Sequence, residues 1–231
     1  MTNGLTIAID GPSGSGKSSV SRAVAAELGI GYLDTGAMYR ALTWWCLYAG
    51  IDLTDRQAVA SAAETMPVLQ GSDPQAPTVV MDGHDIAADI RTDRVTAAVT
   101  AVATNTLVRP VLQERQRAAM AQIAQERGGV VAEGRDITTV VAPDADVRLL
   151  LTASPQARLA RRSTELHGHA GADAVAATHD QIVRRDEADS TVSNFLEAAD
   201  GVHVVDTSDL DFQQSVDAVL AIIRHDREDR S

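Results

Sequence analysis

Residues 5–18 read Leu-Thr-Ile-Ala-Ile-Asp-Gly-Pro-Ser-Gly-Ser-Gly-Lys-Ser, an apolar strand running directly into the pattern G-x-x-x-x-G-K-S. Few short motifs constrain a fold so tightly, because this one needs a strand before it and a helix after it. Gly11, Gly14 and Gly16 permit backbone torsions that other residues avoid, so consecutive N–H groups can curl around an anion. Lys17 is placed to reach β- and γ-phosphates, and the Ser18 hydroxyl to ligate Mg²⁺. Val20, Val24 and Leu28 share one face of the helix that follows, whose N-terminal end adds positive potential at the same point. The stretch Gly11, Pro12, Ser13, Gly14, Ser15, Gly16, Lys17, Ser18 and Ser19 is therefore expected to cradle the phosphates of ATP or GTP.

A second constraint is charge. The chain carries 32 acidic and 20 basic residues, a formal net charge of −12. Tracking a nucleic-acid backbone needs a basic face, so that class of partner is disfavoured. A nucleotide site in such a chain must gather arginines locally, and finding those clusters finds the site. No apolar run reaches membrane-spanning length and no charged-then-apolar leader opens the chain. The one cysteine, Cys46, rules out an internal disulfide and reads as a core thiol. A cytoplasmic protein with no membrane partner is expected.

Short apolar runs at Leu5–Ile9, Gly31–Leu33, Val130–Glu133, Val147–Thr152 and Val202–Val205 predict five buried parallel strands. Helical stretches at 17–28, 106–127 and 154–188 separate several of them, and a last helix is expected over about 211–224. The fold class is α/β, a doubly wound five-stranded parallel sheet flanked by helices, with ligands at the carboxyl ends of the strands. Between Asp52 and Asn105 the alternation breaks into a proline-bearing stretch, a hairpin signal and another helix. There Asp82-Gly83 separates Val79-Val80-Met81 from His84-Asp85-Ile86, a two-residue turn between strands. This reads as an α+β insertion beside the site. A Gly/Ala-rich segment from His167 to about Thr178 reads as a flap.

Three clusters then draw attention. Ser154-Pro155 opens a helix on which Arg158, Arg161 and Arg162 share a face, with Arg184 and Arg185 beyond the flap. Residues 130–136, Val-Val-Ala-Glu-Gly-Arg-Asp, end a strand beside the phosphate loop, where Gly134 suits a sharp turn displaying Arg135 and Asp136. After the second strand comes Leu33-Asp34-Thr35-Gly36-Ala37-Met38-Tyr39-Arg40, whose hydroxyl and arginine suit a second, phosphate-bearing substrate. Asp34 reads equally as a helix N-cap or as a carboxylate supporting Arg40. His167 and His169 are too closely spaced for a helical metal pair, and Trp44 and Trp45 read as helix residues with one ring toward the core.

Residues 11–19, Asp34–Arg40, Asp89-Ile-Arg-Thr-Asp93, Glu133-Gly-Arg-Asp136 and Arg185-Asp-Glu-Ala-Asp-Ser190 together resemble bacterial cytidylate kinase, a P-loop nucleoside monophosphate kinase. Order and spacing agree across nearly the whole chain. The resemblance implies ATP-dependent phosphorylation of CMP and dCMP with Mg²⁺, by a monomer. It implies a kinase core over 1–38, 106–157 and 179–231, a nucleotide-binding insertion over 39–105 and a lid over 158–178. It places Arg40, Arg135 and Thr35 at the CMP phosphate, and Thr100, Arg109 and Asp136 at the cytosine. Arg185 and Asp189 fall at the ribose, and Lys17, Arg158, Arg162 and Arg185 at the transferred phosphoryl. Val192 departs from the pattern, since many relatives carry arginine there.

Phosphoryl transfer to a phosphate oxygen needs alignment and charge neutralisation rather than a strong base, so the absence of a Ser/His/Asp or Cys/His constellation is expected. Kinases for UMP, AMP or a metabolite alcohol, and a P-loop regulatory ATPase, are the competing readings. An alcohol acceptor would call for a carboxylate base near the phosphoryl group, and an ATPase for a water-positioning residue and a docking surface.

Overall fold

A computed structural model describes residues 4–167 and 186–229. Its main sheet is five parallel strands in the order β2-β6-β1-β7-β8: β1 (Leu5–Asp10), β2 (Gly31–Asp34), β6 (Gly129–Gly134), β7 (Val147–Thr152) and β8 (His203–Asp206). The central strands are largely apolar because helices cover both faces and most of their side chains are buried. On one face, α1 (Lys17–Leu28) and the last helix α7 (Phe212–Glu228) pack Val20, Val24, Val219 and Ile223 onto Ile7, Ile9 and Leu149. On the other, α5 (Val108–Arg127) sets Met120 and Ile123 against Ala8, Leu33 and Val130. The five strands expected from sequence are all present, with boundaries within a residue or two.

A third apolar cluster lies outside the sheet. It centres on α2 (Thr35–Ala49), whose Met38, Ala41, Leu42 and Cys46 meet α3 (Arg56–Thr65), α4 (Asp93–Ala103) and the start of α5. The expected hairpin is there, β4 (Val79–Met81) pairing antiparallel with β5 (His84–Asp85) through Asp82 and Gly83, both at positive φ. The sequence missed two parts. A third strand, β3 (Val68–Gln70), pairs with β4, and the segment holds two α-helices plus a short 3-10 turn at Asp89–Arg91 rather than one helix.

Five hydrogen bonds among the described residues tie this segment to the sheet edge and to α1 beside it. Arg22 donates to the carbonyls of Pro74 and Gln75, the Tyr32 amide to Ser72 O, Gln70 Nε2 to Asp34 O, and Arg91 to the Asp34 carboxylate. The edge of β2 is thereby covered instead of being left open to pairing.

β1 lies where connections diverge, with β2 and β6 on one side and β7 and β8 on the other. In register, Asp10 faces Gly134, and Asp34 faces Glu133. Three strands thus end level, and the segments leaving them converge at one edge, the place where such sheets bind ligands.

Candidate active site

The phosphate loop leaves β1 at Gly11 and enters α1 at Lys17. Gly14 and Gly16 hold φ values of 77° and 84°, as the anion-cradle reading requires. Gly11 does not, and its reason is space, since a Cβ there would sit 2.3 Å from the Leu151 carbonyl oxygen. A Cβ on Gly14 would also stand 2.6 Å from the Arg158 carbonyl oxygen, so the loop packs directly on the helix α6 (Pro155–His167). No side chain caps α1 and no acid occupies its first turn, which leaves its amides and its positive end for an incoming anion.

Next to the loop, Glu133 closes β6 at 2 % exposure. Ser18 Oγ donates to its Oε1 at 2.6 Å, the Tyr32 hydroxyl to the same oxygen at 3.2 Å, and Lys17 Nζ stands 3.9 Å from Oε2. Burial pushes the Glu133 carboxyl up, the Asp34 carboxylate adds to that, and Lys17 and the two hydroxyls pull it back. Burial, followed by the Glu133 charge, likewise raises the Tyr32 phenol. In the sequence Glu133 is simply the charge that ends an apolar strand, a position that names no role until Ser18, Tyr32 and Lys17 are placed around it.

Residues 135–138 are held from below. Asp10 accepts from the amides of Ile137 and Thr138 and from the Thr138 hydroxyl, at 2.7–2.9 Å. Burial drives its carboxyl up to about 6, against the lowering effect of those three donors. The anchored backbone then makes a single π-helical turn at Ile137–Val141. Gly134 serves close approach rather than the sharp turn expected of it, because a Cβ would lie 2.5 Å from the Thr35 hydroxyl. That hydroxyl donates to the Glu133 carbonyl at 2.8 Å.

One cavity of about 220 Å³ joins the phosphate loop to Glu133 and the segment after it. Ser13, Gly14, Gly16, Lys17, Ser18 and Ser19 line it together with Thr35, Arg40, Arg109, Arg135, Asp136 and Asp189, and Arg162 also faces it. Structure thus brings together six of the residues expected for the second substrate. Thr100 is not on the wall; its carbonyl receives Thr104 while its neighbour Val99 and Ala103 one turn on face the cavity. Arg184 and Arg185, and residues 168–178 of the lid, lie outside the described residues.

The arginines have specific partners. Arg109 Nη2 meets Asp136 Oδ2 at 2.6 Å, and its Nη1 donates to Ala103 O. Arg40, 8 % exposed, donates to Ile90 O and Thr96 Oγ1, both at 3.0 Å. Arg135 pairs with Asp186 at 2.9 Å and Asp189 at 3.0 Å, and stacks 4.3 Å over the ring of fully buried Phe195. Arg158 donates to Asp186 as well, and to the Ser13 carbonyl, while the Ser13 amide donates to Asp186 at 3.3 Å. Arg161 departs from the expected phosphate-facing trio. Its guanidinium donates to Thr207 Oγ1 and O, to Leu210 O and, at 3.5 Å, to Ser15 O, so it ties the β8–α7 connection to the backbone of the phosphate loop.

Asp34 caps α2 by accepting from the Ala37 amide and also pairs with Arg91 at 3.1 Å, which joins it on the cavity wall. The N-cap reading holds, and its ionic partner is Arg91 instead of Arg40. Tyr39, Arg91 and Ser193 are cavity residues for which no role was read from the sequence. Trp44 stacks on Tyr48 at 5.1 Å at the rim of the α2 cluster, away from the cavity.

Comparison with known proteins agrees with this arrangement. Residues 7–225 match the cytidylate kinase family. Cytidylate kinase of Streptomyces avermitilis is 51 % identical over 96 % of this chain and 94 % of that protein. The Cutibacterium acnes cytidylate kinase is 48 % identical over 96 % of this chain and 97 % of its own length, and that of Rhodococcus opacus 46 % identical over 96 % of each.

Proposed function

The chain belongs to the cytidylate kinase family, and from that membership and the shared cavity we propose that it transfers the γ-phosphoryl group of ATP to CMP or dCMP. The observation that carries the proposal is one cavity lined both by the phosphate loop and by a set of arginines, Arg40, Arg109 and Arg135, that come from other elements. A hydrolase would need only the first. An enzyme that passes a phosphoryl group from one nucleotide to another, bonding it to the acceptor phosphate oxygen as its bond to the leaving β-phosphate oxygen breaks, needs both held in line.

At the loop, backbone amides and Lys17 take the β- and γ-phosphates. Among the arginines, Arg40 and Arg135 take the CMP phosphate, with the Thr35 hydroxyl beside it. Asp136 and Arg109 face the base: a carboxylate accepts from the cytosine amino group and a guanidinium donates to the ring acceptors, a pattern that uracil reverses. Asp189 accepts from the ribose. Arg158 and Arg162 reach the phosphates as α6 and the lid close, and Arg185 belongs with them by motif. Closure excludes water that would otherwise take the phosphoryl group. The separate apolar core around α2 supports treating 39–105 as a nucleotide-binding unit against the remaining kinase core, with 158–178 as the lid.

Mg²⁺ fits the donor set. The Ser18 hydroxyl and Glu133 carboxylate are hard oxygens in contact beside the loop, and Mg²⁺ takes few protein oxygens along with phosphates and water. Those two residues would hold it, and the ion would neutralise charge on the phosphate chain. A single buried cysteine, free of any disulfide, supports a reducing, cytoplasmic setting. Nothing in the reaction needs a second subunit, which supports a monomer.

A coupled assay for ADP tests the proposal. ADP formation should rise at least about 10²-fold on adding CMP or dCMP, since closure is productive over both ligands. ADP formed at equal rates with and without CMP would overturn it in favour of a regulatory ATPase.

A further inference from the structure

Arg109 is one of two α5 side chains that grip Asp136. One turn on, Gln113 donates from Nε2 to Asp136 Oδ2 at 2.7 Å, the same oxygen that Arg109 Nη2 meets at 2.6 Å. The spacing of four places both on one helix face. No donor among the described residues reaches Oδ1, although Asp136 lies on the cavity wall at 4 % exposure. Its backbone is fixed as well, because the Asp136 carbonyl accepts from Val140 and Val141 and the two following amides are bound by Asp10. Every freedom of this carboxylate is thus restrained except what its second oxygen binds.

We infer that Gln113 is a specificity-positioning residue, which with Arg109 pins Asp136 by one oxygen so that the other is presented to the cytosine amino group. The inference rests on the proposal that Asp136 reads the base. The physical reason for two donors on one oxygen is directional. An aspartate held by a single guanidinium can rotate about χ2 and trade oxygens, since that torsion is soft and nearly two-fold. A second, uncharged donor one helical turn away selects one orientation without adding a charge that would compete for the base. Arg109, with five N–H donors and two of them engaged here, keeps others for the ring acceptors. Gln113 touches no substrate atom in this scheme; it acts through Asp136.

The test compares wild type, Gln113→Leu and Gln113→Glu with CMP and UMP as acceptors at saturating ATP, alongside Tm. In Gln113→Leu the KM for CMP should rise about tenfold, the loss of one hydrogen bond to a charged group. Its kcat should fall by less than about threefold. The UMP constants should barely move, so that the CMP-over-UMP ratio in kcat/KM falls about tenfold. Gln113→Glu sets a second carboxylate against Asp136 and should lower the ratio further. A role in packing alone would lower Tm and shift both acceptors alike. Equal changes for CMP and UMP, a loss confined to kcat, or an unchanged ratio in both variants would each overturn the inference. A wild type that phosphorylates CMP and UMP equally would overturn the base-reading by Asp136 itself, and with it this role for Gln113.

Discussion

Charged side chains in this molecule fall into two groups that differ in what they hold. Away from the cavity several of them hold backbone, Arg117 doing so while it also pairs with Glu114. Arg22 grips the carbonyls of Pro74 and Gln75, Arg115 those of Ala63 and Met66, Arg117 those of Val140 and Val141, and Arg161 those of Thr207 and Leu210. Asp10 is the mirror case, a carboxylate that binds two amides and a hydroxyl. Around the cavity charges also bind each other, beside backbone bonds such as Arg40 to Ile90 O and Arg109 to Ala103 O: Arg109 with Asp136, Arg135 with Asp186 and Asp189, Arg158 with Asp186. A backbone carbonyl cannot leave without undoing the fold, whereas a carboxylate on a rotatable side chain can yield to a phosphate or share its donor with one. The first group answers for architecture and the second for ligands.

That division can be broken by experiment, and the largest effect is expected at Lys17, whose Nζ stands 3.5 Å from Pro12 O and 3.9 Å from Glu133 in the phosphate loop's own cavity. Lys17→Ala should cost about 10²–10³-fold in kcat, the worth of one charge-stabilising donor, and leave Tm in place. A variant keeping a tenth of wild-type turnover would remove the phosphate-loop assignment.

Asp10 tests the other group through pH. Its folded pKa of about 6 lies above the ordinary 3.8, so the native state holds that proton over a range where the unfolded chain has lost it. This contribution is full below pH 4 and lost as pH rises through 6, about 3 kcal/mol in all. Urea unfolding of wild type and Asp10→Asn at pH 4 and pH 7 isolates it, since asparagine does not titrate. The wild type should lose ground to the variant at the higher pH, and parallel curves would show that Asp10 does not take up a proton on folding.

Asp136→Ala should reduce the CMP-over-UMP preference by up to about 10²-fold, more than either Gln113 variant and mainly by harming CMP, at the upper end of what one base contact is worth. Arg115→Ala, which strands two carbonyls at the end of α3, should lower stability by about 2 kcal/mol with kcat/KM per folded molecule unchanged. A kinetic defect there without a drop in Tm would blur the two groups into one. The smallest effect is at the sugar: Asp189→Ala should raise KM for CMP a few-fold more than for dCMP, because only CMP carries the 2′-hydroxyl, roughly one hydrogen bond's worth. Equal losses would move Asp189 to a structural role through Arg135.

Much of this was legible in the chain, for identifiable reasons. The sheet was readable because buried parallel strands are plain apolar runs, and the hairpin because Asp-Gly demands a particular turn. Strand Val68–Gln70 was not, being three residues long and largely exposed, with no alternation to mark it. The phosphate loop and the cavity arginines were readable because their chemistry dictates residue types at fixed spacing. Partners were not. Asp186 meets Ser13 across 173 residues of sequence, and Glu133 meets Ser18 across 115. Gln113 looks like any polar helix position until Asp136 is placed beside it, and Arg161 shares a helical face with Arg158 and Arg162 yet is captured by a loop 46 residues on.

Asp186 has one more consequence, for how this strongly acidic chain meets a polyanion. Its carboxylate sits against Arg135, Arg158 and the Ser13 amide, so those cations carry their counterion covalently tethered rather than drawn from solution. Nucleotide binding there is an ion exchange within the protein: one anion displaces or joins another, and few mobile ions are released to the bulk. Free-solution screening therefore acts on both sides of the equilibrium. The affinity for nucleotide should depend on ionic strength far less steeply than the number of arginines in the cavity would suggest.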